Sequence, residues 1–241
     1  MRRKFLNRFW MKPLQNISSE PEEYISLKQK ICKIEKSIST QNGVRHYEFD
    51  ALKINGNNDI LLIIVGYNGS ISGSENKYFR IAKRANEVYG NTVFIVDNNE
   101  RNWDSPENYF NVIINYVKEN TLSDEIKIKL FGNSAGATLA ISYAWKCPEI
   151  TKMLLVNPPL FEENLELIAD GIKLFGGSAT LVMGKNDPSY ELAKLFVQEK
   201  YTNIFKEIVF YDNADHKFKG LISEFVNLPF QYLYDRISLS V

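Results

Sequence analysis

From residue 44 onward, short apolar runs of strand length alternate with segments whose apolar residues recur at helical spacing, and this alternation restricts the fold more than any other feature. Strands are expected over 44–54, 59–65, 92–96, 126–131, 152–156, 180–183 and 207–211. Several, such as Ile60 to Val65, are nearly continuous in aliphatic residues, as required of strands covered on both faces. Helices are expected over 75–88, 106–120, 135–146, 162–175, 190–200 and 221–234. The pattern predicts an α/β chain with a mostly parallel central sheet and helices on both faces. In such a sheet, ligands bind outside the carboxyl ends of the strands, so the loops that follow the strands carry the functional argument.

The segment before this alternation reads differently. Pro21 opens a stretch in which Tyr24, Leu27, Ile31, Ile34 and Ile38 share helical spacing, which predicts an amphipathic helix within an N-terminal extension over 1–42, ahead of a single α/β domain over 43–241. The first twelve residues hold five basic residues and no acid. Their longest apolar run, Phe9-Trp10-Met11, is too short for an export signal. A solvated or core-packed arm is the preferred reading, and a weak membrane contact through Phe5, Leu6 and Phe9 is the alternative.

Charge and cysteine usage narrow the function classes. Lys+Arg and Asp+Glu both number 29, so no global field favours nucleic acid. Cys32 and Cys147 are too few for a disulfide framework and lack metal-ligand spacing. The expectation is a cytoplasmic protein with reduced thiols, without a transmembrane segment, metal or organic cofactor, and acting on a small molecule or an acyl-carrier ester. The oligomeric state stays open.

The stretch "KLFGNSAGATLAISYA" puts Ser134 between Gly132 and Gly136, after an expected strand and before an expected helix. This is G-x-S-x-G in the context its chemistry needs: a serine on a sharp strand-to-helix turn, with glycines where side chains would collide. The helix from Ala135 then directs free N–H groups and a positive dipole end at the site. A glycine-rich turn with an idle serine is the bland alternative. Serine needs a base to take its proton, and the chain has two histidines. His46 lies inside the first expected strand, where a structural role is preferred. His216 follows the last expected strand, in "YDNADHKFKG", at the carboxyl edge of the sheet. The imidazole in turn needs an acid, and Asp187, in "MGKNDPSYE" after the penultimate strand, is placed for it. Asp212 and Asp215 sit too close to His216 along one loop and are read as shaping the turn. Asn157, after the strand before, cannot carry the charge.

Ser134, Asp187 and His216 follow one another as nucleophile, acid and base, and here the chain resembles the α/β-hydrolase superfamily over roughly 44–234. The resemblance implies that "IIVGYNGS" is the family's H-G-x-x-G loop, with Gly66 and Gly69 matching. By that alignment the backbone N–H groups of Tyr67 and Ala135 form an oxyanion hole. Val65 stands where histidine is usual, which leaves open what supports the loop. The short stretch between Asn157 and Thr180 implies a small cap, with Tyr67, Trp103, Tyr109 and Phe161 as residues that could close the site. The activity implied is hydrolysis of a carboxylic ester or thioester. Acyl transfer from the same site, or a binding protein that kept the fold, are the alternatives.

Overall fold

The computed structural model describes residues 21–40, 43–121, 123, 125–197 and 205–235. The basic first twelve residues, with the weak membrane contact read from them, lie outside the described residues, as does the end of the helix expected over 190–200. Among the described residues eight strands form one sheet: β1 (Cys32–Thr40), β2 (Gly43–Ile54), β3 (Asn57–Ile64), β4 (Asn91–Val96), β5 (Lys127–Asn133), β6 (Ile150–Val156), β7 (Ser178–Gly184) and β8 (Glu207–Tyr211). Their spatial order is β1-β2-β4-β3-β5-β6-β7-β8. β4, β3 and β5 to β8 run parallel, while β1 and β2 complete one edge antiparallel. The helices are α1 (Glu22–Lys28), α2 (Lys77–Tyr89), α3 (Pro106–Glu119), α4 (Ala135–Tyr143), α5 (Leu165–Leu174), α6 (Tyr190–Phe196) and α7 (Ile222–Tyr232).

Side-chain alternation along β3 shows how the sheet buries both faces. Ile60, Leu62 and Ile64 enter a core with residues of α3, α4, α5 and α6. Leu61, Ile63 and Val65 enter the opposite core, with α2 and α7. Period-two alternation with apolar residues at every position is what places one strand in two cores at once. All five residues from Ile60 to Ile64 are fully buried. Each contributes about 2 kcal/mol through its burial.

The helix expected to run from Pro21 to Ile38 stops at Lys28, and Cys32–Thr40 is strand β1. Ile34 and Ile38 are four apart, a spacing that fits a helical face and, being even, also one face of a strand. The structure uses the second option. Ile34, Lys36, Ile38 and Thr40 all point to the partly covered side, and the backbone pairs in register with β2, from Cys32 opposite Ala51 to Thr40 opposite Gly43. β-Branched isoleucine suits that role, and pairing satisfies the N–H and C=O groups that β2 would otherwise expose. α1 keeps Tyr24 and Leu27, while Ile31 lies in the link to β1; Tyr24 packs on Phe79 of α2, and Glu23 pairs with Lys83.

The helix between β6 and β7 lies on the sheet. Ile168 and Ile172 of α5 share a core with Leu139 and Ile141 of α4. What remains of that segment at the carboxyl edge is the loop at 158–161, where Phe161 is exposed. Among the described residues no helix is long and apolar enough to cross a membrane.

Candidate active site

Ser134 stands between β5 and α4 with φ 54° and ψ −127°, a backbone conformation that non-glycine residues rarely adopt. Holding it there costs on the order of 1–3 kcal/mol, which the surroundings must supply. Ser134 N–H donates to Val156 C=O on β6 at 2.8 Å, and Ser134 C=O accepts from Ala137 N–H at 2.8 Å. The flanking glycines are required by close approach. A Cβ on Gly132 would lie 2.6 Å from Ala137 Cα, and one on Gly136 would lie 2.2 Å from Ile64 C=O. Both are backbone contacts that no rotamer change relieves.

The loops after β7 and β8 bring the other two residues to this serine. Ser134 Oγ and His216 Nε2 are 2.8 Å apart, and His216 Nδ1 lies 2.5 Å from Asp187 Oδ2. The Asp187 side chain is 1% exposed, whereas that of His216 is 37% exposed and can meet a substrate. Asp187 Oδ1 accepts from Ser189 N–H at 2.7 Å, so the carboxylate is held at both oxygens. Asp215 does shape the turn: its Oδ1 accepts from Lys217 and Lys219 N–H, and these backbone donors, Lys219 first, hold its carboxyl below the usual range. Asp212 is spent on Lys185, 2.6 Å away.

Asn157 has a role that its uncharged side chain did not disclose. Fully buried, it accepts from Gly184 N–H at 2.8 Å and donates to the carbonyls of Asp215 at 3.2 Å and His216 at 3.1 Å. One side chain thus ties the end of β7, from which the Asp187 loop leaves, to the backbone of His216. Its position directly after a buried strand, at the carboxyl edge, was the available signal.

A second asparagine answers the question raised by Val65. Asn98, fully buried after β4, accepts from Asn68 N–H through its backbone carbonyl at 2.9 Å and donates from Nδ2 to Val65 C=O at 3.4 Å. Trp103 Nε1 donates to Asn98 Oδ1 at 2.7 Å and fixes the orientation of the amide. The loop at 65–69 is therefore braced from the neighbouring strand. It lies directly on the serine, since a Cβ on Gly66 would be 3.0 Å from Ser134 Cβ. Tyr67 is half-exposed, edge-on to Trp103, with its hydroxyl 3.4 Å from Glu100. Tyr109 does not reach the site: it is fully buried against Tyr47 and Phe49 and donates its hydroxyl to Asp97 C=O. Its place on the core face of α3, rather than on a loop, is the reason.

A cleft of about 240 Å³ opens at Ser134 and His216, walled by Tyr67, Ser74, Lys77 and Lys217 among others. Beneath it the Tyr78 hydroxyl faces the Asn133 side chain and Gly66 N–H, and burial pushes the phenol well above its usual range. Asn133 Oδ1 is buried without a hydrogen-bond partner among the described residues. No cluster of metal-ligating side chains occurs among the described residues.

Neither a protein-family model nor a curated relative matches the sequence. Solved structures do. The esterase Pf2001 of Pyrococcus furiosus superposes with TM-score 0.61 at 15% identity, over 93% of this chain and 98% of its own. An α-β serine hydrolase homologue from Coxiella burnetii gives 0.57 at 19%, over 82% and 96%. Est1E from Butyrivibrio proteoclasticus gives 0.56 at 14%, over 80% and 95%. At these identities the likeness is one of architecture. The chain has the α/β-hydrolase fold.

Proposed function

We propose that this protein is a serine hydrolase that cleaves a carboxylic ester or thioester through an acyl-enzyme on Ser134. The observation that carries the reading is the unbroken run of contacts from Asp187 Oδ2 through His216 to Ser134 Oγ, at 2.5 and 2.8 Å, ending on a strained, cleft-facing serine. The similar folds described as esterases and serine hydrolases are in keeping with it.

In the first half-reaction His216 Nε2 takes the Ser134 proton as Oγ bonds to the acyl carbon. Asp187 holds the imidazole in the tautomer that leaves Nε2 free to accept, and stabilises the imidazolium. The developing oxyanion is assigned to the N–H groups of Tyr67 and Ala135. Ala135 opens α4, where the first N–H groups have no intrahelical acceptor. As the bond to the leaving atom breaks, His216 hands it the proton. Water then attacks the acyl-enzyme with His216 again as base, releasing the acid and restoring Ser134.

A fluorophosphonate probe tests this on the full chain. Wild-type protein should label stoichiometrically and hydrolyse 4-nitrophenyl butyrate, and Ser134→Ala should lose the label and at least about 10⁴-fold in kcat. Folded wild-type protein that neither labels nor hydrolyses short esters would sink the proposal.

A further inference from the structure

Lys77 is a second ionisable group in the cleft that the proposed chemistry does not use. It is 5% exposed, and its Nζ sits 4.0 Å from the centroid of the Phe225 ring. Among the described residues no hydrogen bond or ion pair holds that ammonium. The faces of Phe225 and, at 5.2 Å, Tyr78 offset part of the cost of burying that ammonium, and an anion in the cleft would offset the rest. The acid nearest to it in effect is Asp215, whose Oδ1 already accepts two backbone N–H groups. Burial lowers the Lys77 ammonium to about 8, which still leaves it cationic at neutral pH. Lys217, exposed on the His216 loop, lines the same cleft, and among the described residues no aspartate or glutamate does. α2 begins at Lys77, so the positive end of a thirteen-residue helix adds to the field.

We propose that this cleft selects substrates whose leaving group carries an anion, a carboxylate or phosphate, received by Lys77 at its buried end and Lys217 at its rim. The inference rests on the serine-hydrolase reading for the word "leaving". His216 Nε2 must protonate the departing atom, so that fragment lies towards His216; Lys217 adjoins His216 in the chain, and Lys77 feels the charges of Asp215 and Lys217 on either side of it. The loop at 158–161, which does not line this cleft, is left to the acyl chain. An ammonium–carboxylate hydrogen bond in a site shielded from water is among the stronger polar contacts, and a substrate lacking the charge leaves Lys77 with its ring contacts alone.

Two esters that differ by one methyl group separate the outcomes, read by release of the phenol: the butyrate ester of 4-hydroxybenzoate and that of methyl 4-hydroxybenzoate. Wild-type protein should favour the first by about tenfold or more in kcat/KM. Lys77→Met, which keeps the stem on Phe225, should bring the ratio close to one, and Lys217→Gln should lower it in part. The butyrate ester of 4-hydroxyphenyl phosphate tells which anion is read, since it overtakes the benzoate if the site is built for phosphate. Equal rates for charged and neutral esters in the wild type overturn the inference, as does a ratio unmoved in both lysine variants. The wild-type ratio and the exposed Lys217 variant keep the test decisive if Lys77→Met does not fold. Calorimetric titration of Ser134→Ala with 4-hydroxybenzoate and its methyl ester separates this inference from the reaction. Tighter binding of the carboxylate supports an anion site even if no ester is cleaved, and equal binding rejects the site even if esters are.

Discussion

The molecule holds two serine–histidine pairs of the same length. Ser134 Oγ and His216 Nε2 are 2.8 Å apart; so are Ser37 Oγ and His46 Nδ1. The second pair even borders the larger cavity, about 570 Å³ between β1, β2 and the loop at Arg101, against about 240 Å³ at Ser134. Neither a short contact nor a roomy cleft therefore identifies a nucleophile. Ser37 and His46 are directly opposed residues of two antiparallel strands, and ladder register alone delivers their contact. Both are exposed, and among the described residues no carboxylate holds the other nitrogen of His46. Ser134 and His216 meet across 82 residues of sequence, with a buried acid behind the histidine and a strained backbone beneath the serine. Distance is common; the surrounding constraint is not.

Breaking that constraint at the acid should have the largest effect. Asp187→Asn keeps the shape but lets the amide present a donor to Nδ1, which favours the wrong tautomer and reduces the Ser134 pair to something like the Ser37 pair. A loss of about 10³-fold or more in kcat is expected, with the fold intact by circular dichroism. Retention of most of the activity would mean that the contact alone suffices, and the comparison would fail.

A smaller loss is expected where the constraint is indirect. Asn157→Ala removes one acceptor and two donor contacts and leaves Gly184 N–H and the His216 loop carbonyls unsatisfied in a buried place. The cost is about 2 kcal/mol in chemical denaturation. As a positioning change it should lower kcat more than it raises KM, and Asn157→Asp should not rescue it, because a carboxylate cannot donate to those carbonyls.

What the amino-acid sequence discloses of the site follows the same division. The strand order of events, Ser134 then Asp187 then His216, was legible because each residue follows a short apolar run, and runs of that kind become buried parallel strands with their following loops on one edge. The braces were not. Asn98 and Asn157 are polar residues in loops until the fold buries them, and their value lies in backbone partners supplied by other strands. Lys77 opens an amphipathic helix and looks like an ordinary solvated charge until α7 packs on it and brings Phe225 over its ammonium. β1 departs from its expected helix for a different reason, since its isoleucine spacing satisfies both periods and only the open edge of β2 decides between them.

The smallest effect completes the comparison from the other side. If the Ser37–His46 contact is a by-product of strand register, removing it should leave the site untouched. Ser37→Ala and His46→Phe should each change stability by no more than about 0.5 kcal/mol, as exposed substitutions do. Fluorophosphonate labelling rates should stay within about twofold of wild type, the equivalent of about 0.4 kcal/mol. The hydroxyl–imidazole contact is exposed to solvent, so each partner lost is exchanged for water at little net cost. Ladder pairing of β1 with β2 depends on backbone groups that neither change alters. A loss of labelling in either variant would place a second functional serine on the sheet edge and would remove the distinction between constrained and incidental pairs.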